Sequence, residues 1–355
     1  AQAILAQAIS LQSARSATSL ASPSPAPASG RGQPLAMSNQ EGEKDISDEY
    51  STEMKAKMGS TLVYKHEDGM NYARVGPRLF VGSCLQTAKD VETLKGEKVG
   101  VVFCLQQDED MKHFGLDVEP IRKRAAELGI THVREPIVDF NPLSLRKRLP
   151  AAVRRLAQEL AARAQDESAY VHCTAGLGRA PGVALAYMFW MDGCCLAEAY
   201  KSMCAVRRCH PQIAMIRAAT CDILSGGEAK VVPTRIEIAC GGVSVQIAGL
   251  DVGWNGRLPL EKDAATGRFV LSRSLPAGVY EYKFIVDGEW QACDQLPTVE
   301  NNGNLNNVVT VAEADPDPGS PDAERRARIM AQGGRPNGEE LATIRAFLSG
   351  AAPAA

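Results

Sequence analysis

The spacing of apolar residues changes once along this chain, and the change divides it. Between residues 79 and 224, short β-branched runs alternate with stretches whose apolar positions recur every three or four residues. Strands are predicted at 79–81, 99–105, 131–138 and 170–172. Helices are predicted at 87–95, at 117–128 where Gly129 stops the pattern, at 144–164, and near 180–191, 196–203 and 213–224. In the longest of these, Leu145, Leu149, Val153, Leu156 and Leu160 share one face. Such alternation predicts an α/β domain: a mostly parallel sheet, helices on both faces, and a ligand site beyond the carboxyl ends of the strands.

After Ser225-Gly226-Gly227-Glu228 the period falls to two. Residues 235–238, 244–247 and 279–286 alternate, and Gly, Asn and Pro turns separate them, which predicts an all-β antiparallel sandwich. Asp287-Gly288 reads as a two-residue hairpin turn. It would pair Val286 with Glu289 and Ile285 with Trp290, leaving Lys283 and Trp290 as diagonal neighbours on one face. Residues 339–348 return to helical spacing with Leu341, Ile344 and Leu348, Asn337 as N-cap and Glu340 three positions on; a free amphipathic tail is the alternative. The expected boundaries are an α/β domain at 41–225 whose polar start, 41–64, is loosely held, a linker at 226–232, the sandwich at 233–313, a second linker at 314–336 and the last helix at 337–350.

Composition narrows the options. At 355 residues the chain suits two domains better than one. A net charge of -3 gives no global electrostatic case for nucleic acid. No apolar run approaches the ~20 residues of a membrane helix. The ten cysteines form no CxxC pair and no regular spacing, which argues against a zinc site or a secreted disulfide framework and for a reducing compartment. No metal or cofactor is expected. Residues 1–40 lack Asp and Glu but hold Arg15, Arg31 and many Ser, Ala and Pro. That is the composition of an organelle transit peptide, and equally of a disordered tail.

The chemistry concentrates in His172-Cys173-Thr174-Ala175-Gly176-Leu177-Gly178-Arg179. A strand precedes this stretch and a helix follows it, so the loop can aim backbone N–H groups and a helix N-terminus at one anion. Arg179 adds a planar fork that matches two phosphate oxygens. Such surroundings favour the thiolate of Cys173, the nucleophilic form. A buried, inert cysteine before a helix cap is the plain alternative, but it leaves the coincidence of glycines, arginine and histidine unexplained.

This loop, continued by Ala180-Pro181, resembles the signature of cysteine-dependent phosphatases of the tyrosine and dual-specificity superfamily, in the form used by plant phosphoglucan phosphatases of the starch-excess type. Residues 69–72, 81–87, 103–108 and 186–190 resemble the same family. Residues 247–254 and 280–290 resemble a glycogen/starch-binding module of the kind found beside isoamylases and kinase β-subunits. Together the resemblance covers most of residues 60–350.

The resemblance implies roles. Cys173 is the nucleophile, Arg179 the phosphate fork, and Thr174, Ala175, Gly176, Leu177 and Gly178 the phosphate-binding loop. Asp139 is the general acid, although on its own it would read as a turn or cap residue for the helix near Ser144. His172 holds the cysteine geometry from behind the loop. Tyr72, Phe114 and Phe140 match aromatic positions of the glucan channel, and His113 and His210 stand where aromatic carbocycles are usual. Asn141 replaces a second aspartate, and Ala180 replaces a hydroxyl residue that helps the sulfur leave. Cys104 matches a cysteine that would trap oxidised Cys173 as a disulfide, with simple core packing as the alternative. On the sandwich, Trp254, Lys283, Trp290, Asn306 and Asn307 form a glucan face, with a core role for Trp290 left open.

The implied protein is a monomer of the plastid stroma that acts at the starch granule surface on phosphorylated α-glucan (starch, amylopectin), with no nucleic acid or membrane partner. The resemblance also favours plastid import for residues 1–40 and packing of the last helix on the phosphatase domain. The alternatives are a dual-specificity protein phosphatase with a glucan-targeting module, and a glucan-bound scaffold with weak phosphatase activity.

Overall fold

The computed structural model describes residues 46–58, 62–227, 229, 231–301, 304–312 and 319–350. The transit-peptide expectation for residues 1–40 lies outside them. The α/β part has a five-stranded sheet in the order β1-β2-β5-β3-β4, formed by Tyr72–Gly76, Leu79–Gly82, Val99–Cys104, Thr131–Arg134 and Ser168–His172 as β1 to β5 in chain order. Only β1 runs antiparallel to its neighbour. Strand alternation sorts the side chains between two cores. Leu79, Val81, Val101, Phe103 and Val171 face one way and pack with Leu145, Leu149, Val153, Val183 and Ile216. Phe80, Val102 and Tyr170 face the other way and pack with Val91, Leu94, Ile121 and Ala125.

The helices of this part are α1 (Ile46–Met58), α2 (Ala88–Gly96), α3 (Asp108–His113), α4 (Glu119–Glu127), α5 (Pro142–Ala161), α6 (Arg179–Trp190), α7 (Leu196–Val206) and α8 (Ile213–Leu224). The first lies in the segment expected to be loosely held, 41–64, of which residues 46–58 and 62–64 are described. Tyr50 and Met54, one turn apart, are buried.

The β-rich part is a sandwich of two antiparallel sheets. One is β6-β10-β9 (Val231–Ile238, Phe269–Pro276, Glu261–Lys262). The other is β13-β14-β11-β7-β8, with β12 also on β11. Its strands are Val245–Gly249 (β7), Gly253–Pro259 (β8), Gly278–Val286 (β11), Glu289–Gln291 (β12), Thr298–Asn301 (β13) and Asn304–Val311 (β14). Tyr280, Tyr282 and Phe284 fill the core between the sheets with Ile236, Ile247 and Phe269. The hairpin has the expected register, Val286 opposite Glu289 and Ile285 opposite Trp290. Its turn residues Asp287 and Gly288 both have positive φ, 49° and 93°, as a type I′ turn requires.

The second linker, expected at 314–336, contains a helix instead, α9 (Pro321–Met330). Ser320 caps it by accepting from Ala323 N, and Ile329 is buried where α9 meets α8. The last helix, α10 (Gly338–Ser349), starts with a capping box between Asn337 and Glu340. Its Ile344 and Leu348 are buried in the α/β core, and Arg154 of α5 donates to its Phe347 carbonyl.

Candidate active site

The loop between β5 and α6 is shaped from behind. Cys84 N donates to Thr174 O at 2.8 Å, and His210 N donates to Leu177 O at 2.7 Å. Arg207 donates from Nη2 to Ala175 O and from Nε to Gly176 O, each at 2.9 Å. Four successive carbonyls are therefore held outward. Because each peptide is planar and trans, the N–H groups of residues 175–178 point to the other side, into the cup. Gly176 has φ +68°, and a Cβ there would lie 2.2 Å from Gly82 O, so only glycine fits. His172 contacts the Cys173 carbonyl through Nδ1 at 3.2 Å, which requires that nitrogen to carry the proton. Burial pushes the imidazole down to about 3, so it stays neutral and braces the loop rather than moving protons.

Cys173 sits at the base of this cup, 2% exposed. Arg179 reaches over it. Its Nη1 donates to Asp110 Oδ2 at 2.5 Å and to Ile137 O at 3.0 Å. Its Nη2 donates to Asp139 Oδ2 at 2.6 Å and to Thr174 Oγ1 at 3.2 Å. Its Nε is buried without a hydrogen-bond partner, a donor left over for a bound anion. Asp139 is held by Arg179, by the Phe140 N–H at 3.0 Å and by the Tyr50 hydroxyl at 2.7 Å. Burial raises its pKa, and the Arg179 charge opposes that in part. A carboxyl that keeps its proton longer suits an acid that protonates a leaving oxygen. The cap of α5 is not Asp139 but Asn141, whose side chain accepts from Ser144 N.

An aromatic wall rises beside the cup. Tyr50, Tyr64 and Ala175 are buried together, with Phe114, Phe140 and Leu177 packed against them. His113 meets the Phe114 ring edge-on at 4.8 Å. Phe114, Phe140 and His113 thus lie together. Tyr72 does not. Its ring packs against Phe80 and Tyr170, and its hydroxyl donates to Glu97, so it belongs to the core on the opposite sheet face. Tyr64 stands in the wall instead. Of His210, the backbone N–H is the group tied to the loop.

On the sandwich, Trp290 is 47% exposed, which excludes the core role, and the Arg257 guanidinium lies 4.7 Å over its ring. Lys283 is diagonal to Trp290 across the β11–β12 pair. Trp254 is half-buried, and its carbonyl accepts from Arg257 Nη1. Asn306 is 5% exposed and donates to Glu281. Asn307 corrects the expected glucan face. It is fully buried, and its amide clamps Cys293 N, Cys293 O and Pro297 O. It shapes the sandwich from inside.

Two family descriptions divide the chain at the same place as the fold. Residues 74–229 match "Swiss Army Knife protein, DSP-PTPase phosphatase domain", and residues 232–317 match "Glycogen recognition site of AMP-activated protein kinase". The amyloplastic phosphoglucan phosphatase DSP4 of Castanea sativa is 44% identical over 310 residues, 86% of this chain and 81% of that protein. This chain belongs to the phosphoglucan phosphatase family. The chloroplastic phosphoglucan phosphatase LSF1 of Arabidopsis thaliana is 29% identical over 71% of this chain and 44% of its own length. The SNF1-related protein kinase regulatory subunit beta-2 of the same plant is 33% identical over 24% of this chain and 29% of its own. Both phosphatase relatives are named as plastid proteins, in keeping with the plastid expectation.

As a member of that family the protein is a cysteine-dependent phosphatase. Asp110, Arg207, Tyr50 and Tyr64 join the site without having been singled out in the sequence. Cys104 ends β3, buried, in register with His172, and burial pushes its thiol up to about 11. Cys84 is a further buried thiol at the loop, 3.4 Å from the Tyr64 hydroxyl. Among the described residues, no His, Cys, Asp and Glu cluster could hold a metal ion, and no helix is long and apolar enough to cross a membrane.

Proposed function

We propose that this phosphoglucan phosphatase releases inorganic phosphate from phosphorylated α-glucan in two displacements. The Cys173 thiolate attacks phosphorus and the bond to the sugar oxygen breaks, while Asp139 gives its proton to that oxygen. Water then attacks the phosphocysteine, the S–P bond returns its electrons to sulfur, and Asp139 takes the proton. The loop N–H groups and Arg179 hold the three remaining oxygens, where charge builds. Ala180 offers no hydroxyl to the leaving sulfur, which slows breakdown of the phosphocysteine.

The observation that carries the substrate reading is the pairing, in one chain, of the Cys173 cup with the Trp290–Arg257 platform. An indole stacked under a guanidinium and edged by Lys283 suits a sugar face with hydroxyls around it. Two glucan contacts in one monomer raise the effective concentration at an insoluble surface, which fits work at the starch granule in the plastid. The experiment is phosphate release from amylopectin, a tyrosine phosphopeptide and an aryl phosphate, with Cys173→Ser as the blank. Clear preference for amylopectin over the phosphopeptide is expected. The reverse preference makes it a protein phosphatase, and no Cys173-dependent release at all makes it a glucan-bound scaffold.

A further inference from the structure

Helix α1 enters the aromatic wall of the site through Tyr50. The Tyr50 ring sits among Tyr64, Phe114 and Phe140, at centroid distances of 5.7, 5.5 and 5.4 Å. Its hydroxyl donates to Asp139 Oδ2, the atom that also accepts from Arg179. This is the wrong polarity for turnover. A general acid must be the donor to the leaving oxygen, whereas here Asp139 accepts, and a phenol oxygen takes the hydrogen-bonding position on Oδ2. Tyr50 is 7% exposed and Cys173 2%. Both the ring and the thiol are therefore withdrawn from solvent in this arrangement.

The attachment is of a kind that can be reversed. The apolar footing of α1 is Tyr50 and Met54, one turn apart. Side-chain hydrogen bonds add to it: Ser47 Oγ donates to Glu67, and Ser51 Oγ donates to the Tyr64 carbonyl. Ile46 is exposed, and most other positions of the helix are polar, among them Asp48, Glu49 and Glu53. Side-chain bonds of this sort exchange readily with water, and segments with few buried apolar contacts open first.

We propose that α1 is an autoinhibitory plug in which Tyr50 imitates the leaving-group end of a substrate, so that the helix must withdraw before Cys173 can react. The inference rests on Cys173 being the phosphatase nucleophile, and its test separates the two. Tyr50→Ala removes the ring, and Met54→Asp loosens the helix at its second foothold. Each full-length variant is compared with the parent in two measurements: kcat/KM for an aryl phosphate, and the rate of Cys173 alkylation by iodoacetamide followed by peptide mass spectrometry. If the open state holds about one molecule in ten, both rates rise about tenfold in both variants. Alkylation that is unchanged or slower in both variants overturns the plug. So does hydrolysis that falls while alkylation stays constant, which would make Tyr50 a substrate-binding wall. Faster alkylation without Cys173-dependent hydrolysis in any form keeps the plug and sinks the phosphatase reading.

Discussion

Arg207 holds Gly176 by a single hydrogen bond of 2.9 Å from Nε to the glycine carbonyl, and it does so from behind the phosphate loop. The same guanidinium also holds Ala175. Two adjacent carbonyls are fixed by one planar group, and their peptide N–H groups are fixed with them. Arg207→Lys should therefore fail to rescue what Arg207→Ala loses, because one ammonium cannot match the fork. A loop displaced by ~1 Å is expected to cost about 10²-fold in kcat/KM. Steady-state kinetics on an aryl phosphate checks this, and Lys restoring full activity would show that charge alone matters.

Asp139 predicts a pH profile. Its pKa is raised by burial, so the protonated acid survives to higher pH than an ordinary carboxyl. With a sugar phosphate, whose leaving group needs that proton, the rate should fall as pH rises through the raised value. With an aryl phosphate of low leaving-group pKa, the fall should be slight. Asp139→Asn should remove the descending limb and lower sugar-phosphate turnover by about 10²–10⁴-fold. An unchanged limb in the variant would assign it to another group.

Where the α/β part meets the sandwich, Arg146 and Asp222 form a two-pronged ion pair, with contacts of 2.6 and 2.7 Å. Arg146 is 4% exposed and also donates to the Ala277 carbonyl of the sandwich. Asp222→Ala strands a buried guanidinium and should cost about 3–5 kcal/mol in denaturant unfolding. Arg146→Met combined with Asp222→Leu should recover most of that loss. A double variant as unstable as the single one would mean that the hydrogen bond to Ala277, rather than the charge pair, sets the seam.

The sandwich face should matter only for polymeric substrate. Trp290→Ala or Lys283→Ala is expected to lower activity on amylopectin by roughly 10-fold or more, the scale of a lost second contact, and to leave aryl phosphate hydrolysis near the parent value. Asn307→Ala should behave differently, lowering stability through its lost clamp on Cys293 and Pro297. Equal losses on both substrates for Trp290→Ala would end this division of labour.

Cys104 offers a chemical test of protection. Peroxide converts the Cys173 thiolate to a sulfenic acid, and attack by a neighbouring thiol then releases water and leaves a disulfide that dithiothreitol reopens. If Cys104 is that neighbour, Cys104→Ser should lose dithiothreitol-recoverable activity faster than the parent, and Cys84→Ser should not. Equal rates in the parent and in Cys104→Ser would confine Cys104 to the core.

The parts legible in the sequence were those with local causes. The recurrence of Leu145, Leu149, Val153, Leu156 and Leu160 marked the longest helix, and a two-residue turn set the Ile285–Trp290 register. The parts that were not legible depend on distant partners. Tyr50 and Met54 are too few to mark a helical stripe, and what buries Tyr50 is Phe114 and Phe140, far along the chain. Arg207 reads as one more surface charge until the chain brings it behind Gly176. Tyr72 matched an aromatic position, but strand direction turns its ring to the other side of the sheet. The cap that starts α9, Ser320 before Pro321 and Asp322, was hidden by the Pro- and Gly-rich residues just before it.

Ile344 and Leu348 complete a core whose other fully buried members all precede residue 224. In chain order the sandwich is therefore a guest: the polypeptide leaves its host after α8, folds a second body, and comes back to close the first. A truncation at the junction would yield a host lacking its final wedge, with a greasy groove open to water. Grafting the module elsewhere, or exchanging it for another, calls for two splice points rather than one.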